Sequence, residues 1–345
     1  MMRKYPLLFL ILTLVVVQLS CNYPLANPPQ PTLAPLQVLP DLNQHLRQED
    51  WLTQISILSG ALPAPFKAGE AILSTRYDYA MFTGQPNARA FDYVLEQVQQ
   101  AVPAGQIEVQ EYPYKDGEHS YTWKNLIVTL PGKSKSEEVI LLTAHLDDTV
   151  VREGDAMQVA PGADDNASGA AALLLALRLL PRHSFQHAIR LVWFSGEEHN
   201  LAGSQAYVRS HSMQGVLGVI NLDMFAYDSN NDHCVELHIG TLPQSLPLGE
   251  ALQQTAIDFG LNLHFDALVN QATDRSDHAS FWQAGVGAVA ITANMNDQNL
   301  AGGCVGADLN PWYHRPGDTL DKLNLQTGFE VVRLGLLTVA KLAQP

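Results

Sequence analysis

The sequence is poor in basic residues and in charge overall. It contains 20 Lys and Arg against 35 Asp and Glu, a formal net charge of −15, and no cluster of basic residues. Because phosphate binding needs clustered Lys and Arg, this composition disfavours a nucleic-acid partner. Charged residues make up 16% of the 345 residues and hydrophobic residues 46%. This balance indicates a globular protein with a sizeable core and not a disordered chain.

The apolar run near the N-terminus is too short to be a membrane-spanning helix. Residues 7–17 form this run, whereas a spanning helix needs roughly 20 apolar residues. Arg3 and Lys4 precede the run and Ser20 and Cys21 follow it, which is the order of a secretory signal. We therefore predict a signal peptide at residues 1–20, most simply of the lipoprotein type, in which Cys21 becomes lipidated. An ordinary cleaved signal and an uncleaved anchor remain open.

This N-terminus predicts an exported protein, either secreted or a lipoprotein of the cell envelope. The protein would then contact a membrane only through its N-terminal lipid anchor. Residues 21–40 are rich in Pro and predict an extended tether. Residues 41–68 are expected to form an N-terminal helical segment, because apolar residues recur there at three- and four-residue spacing. Only Cys234 and Cys304 remain further along the chain, where they either form a disulfide or stay free.

The rest of the chain, residues 69–345, alternates strand and helix patterns. Strands are predicted at residues 123–130, 139–144, 188–194, 216–222, 235–239 and 287–292. Helices are predicted at residues 87–102, 166–180, 201–211, 249–259 and 323–342. This alternation predicts the α/β class, with a mixed, mainly parallel central sheet and helices on both faces.

Ligand-type side chains follow three of the predicted strands. His145 follows strand 139–144, Glu197 and Glu198 follow strand 188–194, and Asp223 follows strand 216–222. In open α/β sheets, sites form beyond the carboxyl ends of the strands. The sequence therefore predicts that these side chains meet at one edge of the sheet.

Two divalent cations need a mixture of His and carboxylate ligands and an open position for water. The sequence offers five candidate ligands: His145, Asp164, Glu198, Asp223 and His314. Glu197 is then left unligated as a catalytic general base. Asp147, two residues after His145, is placed to accept the second imidazole N–H and to orient that ring.

Five blocks of the sequence resemble those of the co-catalytic di-zinc aminopeptidases of the bacterial leucyl aminopeptidase and aminopeptidase Y type. That family is related to glutamate carboxypeptidase, glutaminyl cyclase and the transferrin-receptor ectodomain. The match covers the chain from about residue 69 to its end. In order, the blocks are His145-Leu146-Asp147, Gly162-Ala163-Asp164-Asp165-Asn166-Ala167-Ser168-Gly169, Gly196-Glu197-Glu198, Asn221-Leu222-Asp223-Met224 and Tyr313-His314-Arg315-Pro316-Gly317-Asp318-Thr319.

The resemblance implies a zinc-exopeptidase catalytic domain with the phosphorylase/hydrolase-like sandwich fold and two zinc ions per chain. It implies that Asp164 bridges the ions, that His145 and Asp223 complete one site, and that Glu198 and His314 complete the other. The peptide bond between Asp164 and Asp165 would be cis. Ser276-Asp277-His278 resembles a further block near the substrate, so Asp277 and His278 are candidate substrate-binding residues. The implied reaction is removal of N-terminal residues from peptides that have a free N-terminus.

Other functions remain open at this level. A glutaminyl cyclase of the same fold would hold one zinc ion, and a carboxypeptidase or dipeptidase would bind the other end or both ends of a peptide. A non-catalytic binding domain would be expected to have lost ligands. His and carboxylate ligands also suit cobalt or manganese.

Overall fold

An eight-stranded sheet forms the centre of the computed structural model, which describes residues 35–134, 136–295 and 303–344. The predicted signal peptide and Cys21 lie outside the described residues. Among the helices that are described, none is both long enough and apolar enough to cross a membrane.

The secondary structure alternates as the sequence predicts. The helices are α1 (Pro35–His45), α2 (Gln48–Leu58), α3 (Asp78–Met81), α4 (Ala90–Ala101), α5 (Ser168–Leu179), α6 (Ala202–Ser210), α7 (Leu246–Phe259), α8 (His278–Gln283) and α9 (Leu325–Leu342). The strands are β1 (Ala64–Phe66), β2 (Gly69–Ala71), β3 (Ile107–Asp116), β4 (His119–Leu130), β5 (Val139–His145), β6 (Ala188–Phe194), β7 (Val216–Leu222), β8 (Cys234–His238), β9 (His264–Leu268) and β10 (Ala288–Ala293).

The central sheet is mixed and mainly parallel, so the predicted fold class is confirmed. Its strand order is β3-β4-β6-β5-β7-β10-β8-β9. The four strands β6, β5, β7 and β10 are mutually parallel. On one side β4 runs antiparallel to this block, and β3 pairs antiparallel with β4 at the edge. On the other side β8 runs antiparallel to β10, and β9 pairs parallel with β8. The carboxyl ends of the four central strands therefore meet at one edge.

Helices cover both faces of the sheet. Along β5, Ile140 and Leu142 belong to the main core with α5 and α9, whereas Val139 and Leu141 pack with α6 and α8 on the opposite face. Successive side chains of a strand point to opposite faces, so a strand covered on both faces is apolar throughout. Helix α5 is apolar around most of its circumference and nearly every residue in it is buried, as expected of a helix enclosed by the core.

The N-terminal part departs from the prediction in one respect. Helix α1 begins at Pro35, inside the range 21–40 that the sequence predicts as an extended tether. Proline is compatible with the first turn of a helix, and the buried residues Val38, Leu42 and Leu46 recur at four-residue spacing and join the main core. The described residues belong to one compact unit, so the predicted segment 41–68 is part of the same body as the sheet.

Two strands of the large sheet are absent from the sequence prediction. Strand β3 contains Pro113 and several charged residues, and it pairs only with β4 at the edge of the sheet, where proline is tolerated. Strand β9 lies at the opposite edge, beside β8. Cys234, at the start of β8, forms a disulfide with Cys304, which resolves the alternative left open by the sequence.

Candidate metal centre

The edge formed by the central strands carries the predicted cluster. His145 is the last residue of β5, and Asp223 directly follows β7. Glu197 and Glu198 follow β6, after a turn at Gly196. His314 comes from the segment between β10 and α9. The topology therefore brings together side chains that are up to 169 residues apart in the sequence, between His145 and His314.

One carboxylate connects two groups of candidate metal ligands. Asp165 Oδ1 lies 3.3 Å from His145 Nε2, and Asp165 Oδ2 lies 3.3 Å from His314 Nε2. Asp223 Oδ1 lies 3.1 Å from His145 Nε2, and Glu198 Oε2 lies 2.9 Å from His314 Nε2. The ligand atoms of each group lie within 4.8 Å of one another. Asp165 is thus the one residue that belongs to both groups among the described residues.

The position implied for Asp164 is corrected by one residue. Asp164 is fully buried, and its carboxylate accepts hydrogen bonds from the backbone N–H of Ala226 (2.7 Å) and the side-chain amide of Asn310 (3.1 Å). Those contacts turn it away from both histidines, and Asp165 occupies the shared place. The cis peptide bond is also one residue further on, between Asp165 and Asn166.

The backbone around Asp165 is fixed from two sides. The carboxylate of Asp318 accepts the backbone N–H groups of Asp164 (3.0 Å) and Asp165 (3.1 Å). Gly162 begins this turn with a φ of +45°, and a Cβ at that position would collide with the carbonyl oxygen of Asp165. A glycine is therefore required for the turn that presents Asp165.

Electrostatic interactions within the cluster alter the pKa values of both histidines. Burial opposes the charged form of His145, but the carboxylates of Asp223 and Glu197 outweigh it and hold its pKa well above the usual value. Burial opposes protonation of His314 too, yet hydrogen bonds to Asp165 and Glu198 raise its pKa to about 10. The surrounding carboxylates thus favour the protonated form of both imidazoles.

Glu197 and Glu198 occupy different surroundings although they are adjacent. Burial, with the repulsion of Asp165, raises the pKa of Glu198 to about 7, and His314 opposes this rise. Burial raises the pKa of Glu197 well above its usual value, and the nearby carboxylates of Asp223 and Glu198 add to the rise. Glu197 belongs to neither ligand group, which leaves its carboxylate available for proton transfer.

Asp147 has a wider role than the sequence predicts. Its carboxylate oxygen lies 3.6 Å from His145 Nδ1, and its backbone carbonyl, at 3.1 Å, accepts the imidazole N–H. The carboxylate itself accepts the backbone N–H groups of Glu197 (3.3 Å) and Glu198 (3.1 Å). The buried carboxylate of Asp78 accepts the N–H of Gly196 at 2.9 Å. Two carboxylates therefore hold the turn that carries both glutamates.

The structure does not place Asp277 and His278 where a substrate could touch them. Both side chains are fully buried. Burial raises the pKa of Asp277 to about 7, and Asp277 lies within electrostatic range of Glu197. His278 bonds through Nε2 to the carbonyl oxygen of Thr273 (2.9 Å) and packs against Trp282. We therefore correct the prediction of substrate contact for both residues.

A buried arginine, Arg76, connects the loops of the site and is not predicted from the sequence. The side chain of Arg76 is fully buried and lies 3.3 Å from the carboxylate of Asp148. Its guanidinium donates to four backbone carbonyls, those of Leu58, Leu146, Pro161 and Gly162, over 2.7–2.9 Å. Arg76 thereby ties helix α2 to the segments that precede Asp147 and Asp165. Asp148, which directly follows the block His145-Leu146-Asp147, is the one signal in the sequence for this partner.

The donor set suits two divalent cations. Carboxylates predominate in the cluster, and one oxygen of Glu198 (Oε1) is buried without a hydrogen-bond partner. Buried carboxylates are costly unless they are paired or bind metal. Two histidines together with carboxylates, one carboxylate being shared by both groups, match the ligands that zinc takes in proteins. His145, Asp165 and Asp223 would hold one ion, and Asp165, Glu198 and His314 the other.

The fold and this cluster define an α/β protein with a candidate two-metal centre at the carboxyl edge of its sheet. A model of peptidase family M28 matches residues 125–337, which is more than half of the chain. The chain therefore belongs to peptidase family M28, and the resemblance found in the sequence is confirmed.

Named relatives agree with this membership. The chain is 28% identical over 254 residues to a probable leucine aminopeptidase from Arthroderma otae, covering 71% of this chain and 63% of the relative. It is 28% identical over 206 residues to aminopeptidase YwaD from Bacillus subtilis, covering 59% of this chain and 41% of the relative. The match thus spans about two fifths to two thirds of the length of these relatives.

Solved structures share the fold. The LapA aminopeptidase of Legionella pneumophila has a TM-score of 0.66 at 21% identity, covering 91% of this chain and 75% of that one. A zinc aminopeptidase from Bacillus subtilis has a TM-score of 0.53 at 25% identity, covering 66% and 52%. A glutaminyl cyclase from Porphyromonas gingivalis has a TM-score of 0.66 at 18% identity, covering 86% and 99%.

Proposed function

We propose that this chain is a zinc aminopeptidase that holds two zinc ions and removes N-terminal residues from peptides. The observation that carries the proposal is the position of Asp165, whose two carboxylate oxygens face different histidines. His145 and Asp223 complete one group, and Glu198 and His314 complete the other. Membership of peptidase family M28 and relatives named as aminopeptidases support the same reaction.

The residues of the site have different roles in the proposed reaction. Bound zinc supplies Lewis-acid polarisation of the scissile carbonyl and lowers the pKa of a water. Glu197 accepts a proton from the attacking water and delivers it to the leaving amine, so that the proton count balances as the C–N bond breaks. Asp147 and Asp78 hold the backbone of this turn in place. The half-buried position of Glu197 favours proton transfer, because fewer waters compete for its carboxylate.

A substrate panel with a metal count on the same sample tests the proposal. Aminoacyl anilides and free peptides are expected to be cleaved, N-blocked peptides to resist, and about two zinc ions to be found per chain. Equal cleavage of blocked and free peptides would refute the aminopeptidase assignment. Cyclisation of N-terminal glutamine, with one zinc per chain, would instead favour a glutaminyl cyclase of the same fold.

We also propose that the protein is exported. The signal-like N-terminus supports this, and so does the disulfide between Cys234 and Cys304, since disulfides persist in oxidising compartments. Expression in a bacterial host, followed by fractionation and mass analysis of the mature N-terminus, tests the route. A lipidated Cys21 is expected, and Cys21→Ala should release the protein from the membrane fraction. An intact N-terminus in the cytoplasm would contradict the proposal.

A further inference from the structure

A cavity lined by tyrosines opens beside the metal cluster. Its volume is about 610 Å³, and we name it the tyrosine cage after its lining residues: Tyr77, Tyr79, Thr83, Tyr114, Asp116, Tyr121, Met157 and His199. His199 is adjacent to Glu198 in the sequence. Burial raises the pKa of Tyr77, and Asp116 and Glu198 both add to the rise. Tyr77 therefore lies within electrostatic range of the cage carboxylate and of a candidate metal ligand.

The hairpin of β3 and β4 builds one wall of the cage. Tyr114 pairs with Tyr121 across the two strands, and alternation along β3 places Tyr114 and Asp116 on the same face. Lys115, between them, points to the other face. Tyr114 stacks on the fully buried Trp123 with ring centroids 3.7 Å apart. This wall of the cage is thus aromatic, and Lys115 does not contribute to it.

Helix α3 closes the cage from the other side. The ring of Tyr79 meets the rings of Tyr121 and His199 edge-on, with centroids 4.8 and 5.2 Å apart. Its hydroxyl donates to Asp116 Oδ2 at 2.8 Å. Within the described residues, those that line the cage include Asp116 but no Lys or Arg, so the cage is negatively charged.

Aromatic faces combined with a carboxylate attract cations. Cation–π attraction favours an ammonium or guanidinium group over tyrosine rings, and the charge of Asp116 adds to it. Asp116 and Thr83 are exposed, so the cage opens to solvent. An exopeptidase that removes a first residue leaves the rest of the peptide outside, and an open cavity beside the metal cluster suits that part of the chain.

We propose that the tyrosine cage binds a Lys or Arg side chain of the peptide substrate, on the leaving side of the scissile bond. This proposal rests on the proposed peptidase function. It assigns a substrate class, peptides with a basic residue soon after the first, to a surface that lies outside the two ligand groups.

Tripeptides that differ only at the second residue test the proposal. The ratio of kcat/KM for Leu-Lys-Gly over Leu-norleucine-Gly is expected to be about two to five, the range that one exposed cation site provides. Asp116→Asn and Tyr121→Leu should each reduce this ratio towards one. Glu118→Gln, which removes the same charge from the adjacent hairpin turn, is the control and should leave the ratio unchanged. Melting temperatures of all variants verify folding.

The outcomes separate the two proposals. Failure to cleave any of the aminoacyl anilides would refute the peptidase function. Calorimetric binding of the same tripeptides to the Glu197→Gln chain would in that case still measure binding to the cage. Cleavage or binding that is equal for Lys and norleucine would overturn the cage proposal. A ratio that is unaffected by Asp116→Asn would do so too, as would a preference for Lys only at the first residue.

Discussion

The carboxylate of Asp147 holds the backbone nitrogen of Glu198 at 3.1 Å. Its other oxygen accepts the N–H of Glu197 at 3.3 Å. A residue with no predicted contact to metal or substrate thus sets the position of a candidate ligand and of the general base. Such positioning residues matter almost as much as the ligands they hold.

The first prediction follows from this contact. Asp147→Asn replaces one acceptor oxygen by an NH₂ group, which repels one of the two backbone N–H groups and shifts the turn. We expect kcat to fall about 10- to 100-fold and zinc affinity to weaken, with KM little changed. Steady-state kinetics and zinc titration measure this. Asp92→Asn, an exposed carboxylate on α4, is the control. Wild-type kinetics for Asp147→Asn would contradict the role.

The second prediction concerns Glu197. Glu197→Gln keeps the shape of the side chain but cannot accept a proton, so turnover should fall by about 10²- to 10⁴-fold while the zinc content stays at the wild-type level. Kinetics and metal analysis on the same sample measure both. Glu250→Gln, at an exposed position of α7, should leave both unchanged. Retained turnover in Glu197→Gln would mean that another group takes the proton.

The central sheet can be predicted from the sequence because its strands are buried on both faces. The predicted strands 188–194 and 216–222 coincide with β6 and β7. Their carboxyl ends deliver the ligand-type residues, so the location of the site is predictable as well. Strand β3 could not be found this way, since its polar residues and Pro113 give no buried pattern.

The finer details of the site depend on contacts that a sequence does not display. Asp164 and Asp165 are chemically identical neighbours, and only the N–H of Ala226 and the amide of Asn310 decide which of them turns away. The role of Arg76 cannot be predicted from the sequence, because its partners are mostly backbone carbonyls, which every residue type provides.

The third prediction separates the two adjacent aspartates. Burial raises the pKa of Asp164 well above its usual value, and Asp164 belongs to neither ligand group. Asp164→Asn should therefore keep about two zinc ions per chain. Asp165→Asn removes the carboxylate shared by both groups and should lose most of the zinc. Mass spectrometry of the native protein counts the ions. The reverse pattern would restore Asp164 as the bridging residue.

The fourth prediction is a pH dependence of the metal-free chain. The pKa of Glu198 rises from 4.5 to about 7 on folding, and that of His314 from 6.5 to about 10. Both groups bind protons more tightly when folded. Their contribution is present at low pH and is lost as the pH rises through about 7 for Glu198 and about 10 for His314. The pKa of Asp165 is lowered on folding, so its carboxylate stabilises the folded chain as the pH rises. That increase is already complete at a pH below 7, so it does not change the slope between pH 7 and pH 10.

We therefore expect the metal-free chain to melt at a lower temperature at high pH than near pH 6, by about 5 °C or more. With zinc bound, the difference should shrink, because the ions take over the charge balance that the protons provide. Calorimetry in a chelator, with a zinc-loaded sample beside it, measures the two slopes. A metal-free melting temperature that rises with pH would refute the electrostatic account of the cluster.

The fifth prediction tests Arg76. Arg76→Met removes the donor to four backbone carbonyls and leaves the buried Asp148 without its cation. Removing one partner of a buried pair typically costs about 3–5 kcal/mol of unfolding free energy, and urea denaturation should show a loss of that size. The double variant Arg76→Met with Asp148→Leu should recover part of it, since no charge is left unpaired. Arg178→Met, which breaks a solvent-accessible pair with Asp50, should cost at most about 1 kcal/mol. A loss for Arg76→Met as small as this control would mean that Asp148, whose pKa burial raises to about 8, is already neutral and needs no cation.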